Sequence, residues 1–236
     1  MQYKTELHAH SSEVSPCAVS TATQVVDRYV KEGYTTLVLT NHYCDYVIDN
    51  AGETWEEKIE HYLSAYRLMK KYADGRINIL LGCELRFTEN YNDYLIFGLD
   101  EDFLINHPDL HKMTLKSFSE LAHENGMLVV QAHPFRNRMT VMNPKFLDGV
   151  EVYNAHVGHD SRNDLALMHA KKYGLIPTAG TDLHHHENEV AGILSDAPIE
   201  TMEQLVALLR SRAYTLICQG TAARRDGLLS DMSAKF

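Results

Sequence analysis

The sequence predicts a single α/β barrel, and three observations carry that expectation. Short apolar runs alternate with longer amphipathic segments along the chain, the order that repeated strand and helix units around a parallel sheet produce. The length of 236 residues suits one barrel domain of roughly 200 to 250 residues. Histidines and carboxylates recur at or just after the ends of the apolar runs, the face on which barrel enzymes build their sites. Composition agrees: 44% hydrophobic and 23% charged residues supply a core and exclude a disordered or fibrous chain.

The elements follow from periodicity and from punctuating residues. Tyr3 to Leu7 reads as the first strand. A helix is expected from about Thr21 to Glu32, capped by Ser20 and ended by Gly33, and TTLVLT after it forms the second strand. Trp55 to Tyr72 reads as a longer helix, INILLGCEL as the third strand and YLIFG as the fourth. In LKSFSELAHENG, Leu115, Phe118, Leu121 and Ala122 share a helical face that stops at Gly126. LVVQA and GVEVY give the fifth and sixth strands. A helix from Asp164 to Tyr173 is stopped by Gly174, and LIPTAG is the seventh strand despite Pro177. A helix near Met202 to Arg210 and a strand at YTLIC follow. The barrel is expected over residues 1–220, with 221–236 as a C-terminal tail.

A net charge of −10 argues against a surface that coats nucleic acid. It does not argue against phosphate chemistry, because bound cations supply local positive potential. Cys17, Cys44, Cys83 and Cys218 form no C-x-x-C pair, so neither a zinc ribbon nor a disulfide framework is expected, and a reducing cytoplasm fits. The N-terminal MQYKTELHAHSS lacks an apolar signal core, and no stretch reaches membrane-spanning length, so no membrane partner is expected. No pattern speaks to oligomeric state.

His8 and His10 follow the first strand, His42 the second, Glu84 the third and His133 the fifth; Glu151 lies within the sixth, and Asp182 with His184 follows the seventh. Residues two apart on a strand point the same way, so His8 and His10 can offer two imidazoles to one ion, and Asp182 with His184 repeats the spacing. Closing a barrel brings these two pairs together, with Glu84 placed to bridge two ions. Imidazole and carboxylate without thiolate favour zinc, manganese or iron over copper(I) or an iron–sulfur cluster. A lone histidine near a strand end is more often a hydrogen-bonded or surface residue; it is the common face that makes this set a site. Glu151 is open between ligand, outer partner and core carboxylate.

ELHAH, VLTNHY, GCEL, QAHPFR, GVEVYN and AGTDLHH, running from Tyr3 to His186, together resemble the PHP (polymerase and histidinol phosphatase) domain superfamily. The resemblance implies a distorted (β/α)7 TIM-like barrel and a cluster of two or three divalent metal ions. By it, His8, His10, Glu84 and Asp182 hold a first ion, Glu84 bridges to a second held by His133, and His42 and His184 belong to a third. The family often supplies another ligand after the H-x-H; Glu13 is the nearest acid, with Ser15 and Cys17 beyond. It also places a histidine between the third and fifth strands, where His107, His111 and His123 stand in no recognisable motif, which leaves the second site one ligand short. Asn41 replaces the usual Asp before His42 and is expected to orient an imidazole.

The implied activity is hydrolysis of a phosphate ester by water activated at a di- or trinuclear site, with a small phosphorylated substrate. A phosphomonoester such as a histidinol-phosphate-like compound or a nucleotide comes first, and a phosphodiester stays open. Arg136 is positioned to pair with phosphate oxygens, with a surface ion pair as its alternative, and Arg138 and Arg86 are of the same kind. His184 or His42 would stabilise the leaving alkoxide. His156, His159, His185 and His186 read as outer or solvent residues, and Tyr91 and Tyr94 as packing. Two rivals remain. An amidohydrolase-type metallohydrolase also opens with H-x-H but needs a carboxylated lysine or equivalent bridge, and a metal-binding module of the same family can lose catalysis. No phosphate-binding G-x-x-x-x-G-K-[ST] loop or G-x-S-x-G elbow is present.

Overall fold

The computed structural model describes residues 2–185 and 189–218; His186 and the expected 221–236 tail lie outside them. The described strands are β1 (Tyr3–Ala9), β2 (Thr36–Leu39), β3 (His42–Tyr43), β4 (Asn78–Leu81), β5 (Cys83–Arg86), β6 (Asp93–Phe97), β7 (Leu128–Gln131), β8 (Gly149–Asn154), β9 (Ile176–Gly180), β10 (Gly192–Ser195) and β11 (Thr215–Ile217). The α-helices are α1 (Ala22–Lys31), α2 (Asp45–Ile48), α3 (Trp55–Ala73), α4 (Glu101–Asn106), α5 (Leu115–Glu124), α6 (Asn163–Tyr173) and α7 (Met202–Ser211).

The strands form two sheets, ordered β11-β10-β1-β2-β4 and β3-β5-β6-β7-β8-β9, which meet along two seams and so make a distorted barrel. At the first seam Ala9 bridges Leu183, just past β9; Leu183 N donates to His8 O (3.3 Å) and His10 N to Leu183 O (3.2 Å). At the second, Gly82 N donates to Leu39 O (3.0 Å) and Glu84 N to Asn41 O (3.1 Å), carrying the parallel β2–β4 pairing into β3–β5. A Cβ at Gly82 would come 2.9 Å from Val38 Cγ1 and 3.2 Å from Ile96 O. Glycine is therefore required where the expected third strand kinks into β4 and β5.

The distortion has a local cause. The link from Arg86 to Asp93 is too short for a helical crossover, so β6 turns back and runs antiparallel to both β5 and β7. Its first residue, Asp93, therefore lies opposite Arg86 at the C-terminal end of β5. Strands β10 and β11 also run antiparallel.

Helix α1 is capped by Thr21, not Ser20: Thr21 and Gln24 form a capping box. Boxes at Thr54 with Glu57, Thr114 with Ser117 and Thr201 with Gln204 start α3, α5 and α7. Gly174, with φ of 66°, ends α6 in the left-handed conformation that glycine adopts at low cost. Val25, Val26 and Tyr29 of α1 and Leu63 and Met69 of α3 are fully buried with Leu7, Leu37 and Val38 in one continuous core. No helix among the described residues is long and apolar enough to cross a membrane.

Candidate metal centre

The strand ends converge on one buried cluster. His8 and His10 leave β1 on one face, His42 opens β3, Glu84 lies in β5, His133 follows β7, and Asp182 and His184 follow β9. His8, His10, Glu84, His133 and Asp182 are all at most 2% exposed. His133 (φ 29°) and Asp182 (φ 53°) hold positive φ without being glycine, a strained backbone of the kind concentrated at functional sites.

Glu84 is the hub. Its Oε1 lies 3.2 Å from His8 Nε2 and 3.2 Å from His133 Nε2; its Oε2 lies 3.3 Å from His10 Nε2 and 2.7 Å from His42 Nδ1. Asp182 Oδ1 is 3.5 Å from His8 Nε2 and 3.4 Å from His10 Nε2, and those two nitrogens are 3.1 Å apart. Ligands about 2.0–2.1 Å from a tetrahedral ion lie roughly 3.3–3.4 Å from one another. The His8, His10 and Asp182 atoms thus stand at the spacing one ion requires, and Glu84 presents one oxygen to each of the two imidazoles.

Outer partners aim these ligands. Glu151 Oε1 is 2.9 Å from His8 Nδ1, which leaves Nε2 for the centre, while Glu151 Oε2 accepts from His133 N (3.0 Å) and Asn154 Nδ2 (2.9 Å). Of its three open roles, Glu151 takes the outer one, the carboxylate–histidine arrangement common behind metal ligands. Asn154 Nδ2 also donates to Asp182 Oδ2 (3.1 Å). Asn41 acts on imidazoles through Ser15: Ser15 Oγ donates to Asn41 Oδ1 (3.0 Å), accepts from His42 N (3.0 Å) and lies 3.4 Å from His10 Nδ1.

Two expectations change place. Both oxygens of Glu13 accept from Ala22 N at 2.9 Å; the carboxylate sits on the positive end of α1 rather than in the cluster. His107 bonds Phe103 O (2.8 Å), His123 pairs with Asp148 (3.1 Å), and His111 is buried beside Tyr43, so none of the three reaches the centre. Asp93 does. It is 1% exposed, its Oδ2 is 3.9 Å from His133 Nε2, and its carboxylate groups with His42 and Glu84 within ligand reach. Cys17 Sγ lies 3.1 Å from His184 Nε2. His159 Nε2 lies 3.5 Å from Asp182 Oδ2, and His156 stacks on His159 with ring centroids 4.5 Å apart, so these two loop histidines line the mouth.

The charge balance fits divalent ions. Both Glu84 oxygens and His42 Nδ1 are buried without an aligned hydrogen-bond partner, as ligand atoms aimed at a common point would be. Burial opposes ionisation throughout, yet Glu151, Asp182 and Glu84 hold the His8 imidazole well above its usual range. Against the same burial, His8 and His42 hold Glu84, and His8 and His10 hold Asp182, well below theirs. Burial and the neighbouring His42 push His10 down, while Glu84 raises His42 to about 10 and Asp182 raises His184 to about 11, each despite burial. Protons on imidazole here do the balancing that cations would do.

The fold recurs in solved structures. PsfC from Pseudomonas syringae PB-5123 superposes with a TM-score of 0.70 at 13% identity, covering 98% of this chain and 97% of that one. A Bifidobacterium adolescentis protein assigned as a metal-dependent phosphoesterase superposes with a TM-score of 0.54 at 13% identity, covering 88% and 96%. No curated protein matches the sequence. The family model of the PHP domain matches residues 6–215, a span that holds every ligand of the buried cluster, and the chain belongs to the PHP domain family.

Proposed function

We propose that this protein is a phosphoesterase acting on a small phosphorylated substrate, with a phosphomonoester as the first choice. The carrying observation is an arginine pocket beside the metal centre. Arg86, Arg136 and Arg138 line a cavity of about 410 Å³ with Tyr91, Asn137 and Met139. Arg86 is committed to Asp93, but neither the Arg136 nor the Arg138 guanidinium has a hydrogen-bond or ion-pair partner among the described residues. Two unpaired guanidiniums on a protein of net charge −10 await an anion, and their planar forks match phosphate oxygens. The loop that carries them is braced, since Arg162 donates to Phe135 O (2.7 Å) and Asn137 Oδ1 (2.6 Å).

His8, His10, Glu84 and Asp182 would hold one ion and Glu84, His133 and Asp93 a second, zinc, manganese or iron by donor type. Such ions supply Lewis acidity and a nucleophilic water at neutral pH. Arg136 offsets charge on the nonbridging oxygens. His42 and His184 face Glu84 and Cys17, where they would stabilise the leaving alkoxide, and His159, at the mouth with its ring nitrogens beside Asp182 and Ser161, is a further imidazole that would deliver a proton to the departing oxygen. The phosphoesterase assignment of the Bifidobacterium protein agrees with this reading. Four free cysteines, two of them buried, agree with a reducing, cytoplasmic setting.

The test is hydrolysis of p-nitrophenyl phosphate and bis-p-nitrophenyl phosphate by metal-loaded wild type, His10→Ala and Arg136→Ala. Metal-restored turnover, abolished in the first variant and weakened chiefly in KM in the second, is expected. Bound metal with no turnover of either ester, but cleavage of an amide or lactone, overturns it.

A further inference from the structure

The segment after the H-x-H brings a thiol, not an acid, to the third corner of the centre. Cys17 Sγ is 3.1 Å from His184 Nε2 and also contacts the His42 imidazole. His184 Nδ1 is 3.0 Å from Asp182 O, which leaves Nε2 as the nitrogen turned to the thiol. His42 is 7% exposed, and its Nδ1 lies 2.7 Å from Glu84 Oε2, which leaves its other ring nitrogen for the thiol side. His10, His42 and His184 lie within mutual ligand distance, but His10 Nε2 is engaged with Glu84 and Asp182, so His42 and His184 remain for a separate ion.

The other donors of this segment are spoken for. Glu13 caps α1 with both oxygens, and Ser15 Oγ is held between Asn41 and the His42 amide. The loop itself is stapled to the site, because Val19 N (2.8 Å) and Ser20 N (3.4 Å) both donate to His184 O. Cys17 is thus carried by a backbone fixed to one of the two imidazoles it meets.

We propose that Cys17 is a metal ligand and that Cys17, His42 and His184 form a third, thiolate-containing site, unlike the nitrogen and oxygen sites around Glu84. The inference rests on the metal-centre reading and not on the phosphoesterase one. On binding, the Sγ proton passes to solvent and a sulfur lone pair takes a position held by water; no electron changes hands. Three protein ligands leave a fourth position open, as catalytic zinc sites do. A soft sulfur donor biases this corner toward zinc over manganese or magnesium, so the protein is expected to hold a zinc-preferring site beside sites that accept harder ions.

The experiment titrates metal-free protein with cobalt(II) and, separately, zinc(II), reading the near-ultraviolet sulfur-to-cobalt charge-transfer band and the iodoacetamide labelling rate at Cys17 by peptide mass spectrometry. Expected are a band that is absent in Cys17→Ser and Cys17→Asp, protection of Cys17 on the order of tenfold or more by zinc, and retention of the third ion by the aspartate variant only. Full metal loading with no band and unprotected Cys17 overturns the thiolate ligand while leaving the metal centre intact. Failure to bind any ion overturns both, whatever the ester assays show.

Discussion

Arg86 and Asp93 face each other across the β5–β6 hairpin through two hydrogen bonds, Nε to Oδ1 at 2.6 Å and Nη2 to Oδ2 at 2.8 Å. Asp93 is buried while the Arg86 side chain keeps a quarter of its surface, so the guanidinium links the metal corner to the open pocket. Removing it leaves a buried carboxylate unpaired. Arg86→Ala should cost about 3 kcal/mol in urea unfolding of metal-free protein, the low end for a broken buried pair because the arginine is partly hydrated. Zinc or manganese should recover much of that loss, since a cation at Asp93 replaces the lost charge. Equal losses with and without metal would show that Asp93 does not belong to the centre.

Asp93 also shows what a sequence can hide. Looking for ligands at the C-terminal ends of strands finds His8, His10, His42, Glu84, His133 and Asp182, because parallel strands all deliver that end to one face. A reversed strand delivers its first residue instead, and the reversal of β6 is set by a link too short for a helix, a property of chain length rather than of any motif. The signal was present in DYLIFG, an acid opening a buried strand. Cys17 and Glu13 differ by a similar margin: four positions apart on one loop, they are sorted by which reaches the α1 amide and which reaches His184, and only loop geometry decides it. Ser20 against Thr21 as the α1 cap is the same one-residue ambiguity, resolved by Gln24 three positions on.

The protonated imidazoles set a pH dependence with a definite sign. In metal-free protein His42 is raised to about 10 by Glu84, and His184 to about 11 by Asp182, against burial. Their stabilising contribution is complete below the unfolded value near 6.5 and is lost as pH rises through 10 and 11. Metal requires the neutral rings, so its affinity rises over that window as protons are released. The gap in Tm between metal-loaded and chelator-treated protein should therefore widen from pH 7 to pH 9, with saturating metal at a hundred times Kd contributing about 2.7 kcal/mol. Calorimetric titration in buffers of different ionisation enthalpy should show net proton release; no release would contradict the charge balance inferred for His8, His42 and His184.

Glu6 organises the strand that carries the H-x-H. Its Oε1 accepts from Leu7 N (3.0 Å), His8 N (2.8 Å) and Thr181 N (2.9 Å), and its Oε2 accepts from Tyr29 Oη (2.7 Å) and the Thr181 hydroxyl. Burial pushes the carboxyl up to about 7 despite these donors, so acceptor geometry matters more than charge. Glu6→Gln keeps an oxygen for the three amides and should cost about 1–2 kcal/mol, while Glu6→Ala strands several buried donors and should cost more than about 3 kcal/mol. Chemical denaturation of both variants decides it, and equal costs would mean that the charge carries the effect.

Gly180 offers a way to disturb the centre without touching a ligand. It ends β9 against β8, where Ala155 N donates to its carbonyl at 3.0 Å. A Cβ there would run into His8 Cβ and come 2.7 Å from Glu151 Oε1, between the imidazole and the carboxylate that orients it. The backbone is fixed by pairing on that side, so the side chains must give, and His8 would leave its bond to Glu151. Gly180→Ala should lower metal affinity on the order of 10 to 100-fold, the usual cost of losing an outer partner, while overpacking lowers stability by about 1–3 kcal/mol. Competition with a chromogenic chelator reads the first quantity and urea unfolding the second. Unchanged affinity in a destabilised variant would mean that the β8–β9 end yields instead, and that His8 holds its position without help from Glu151.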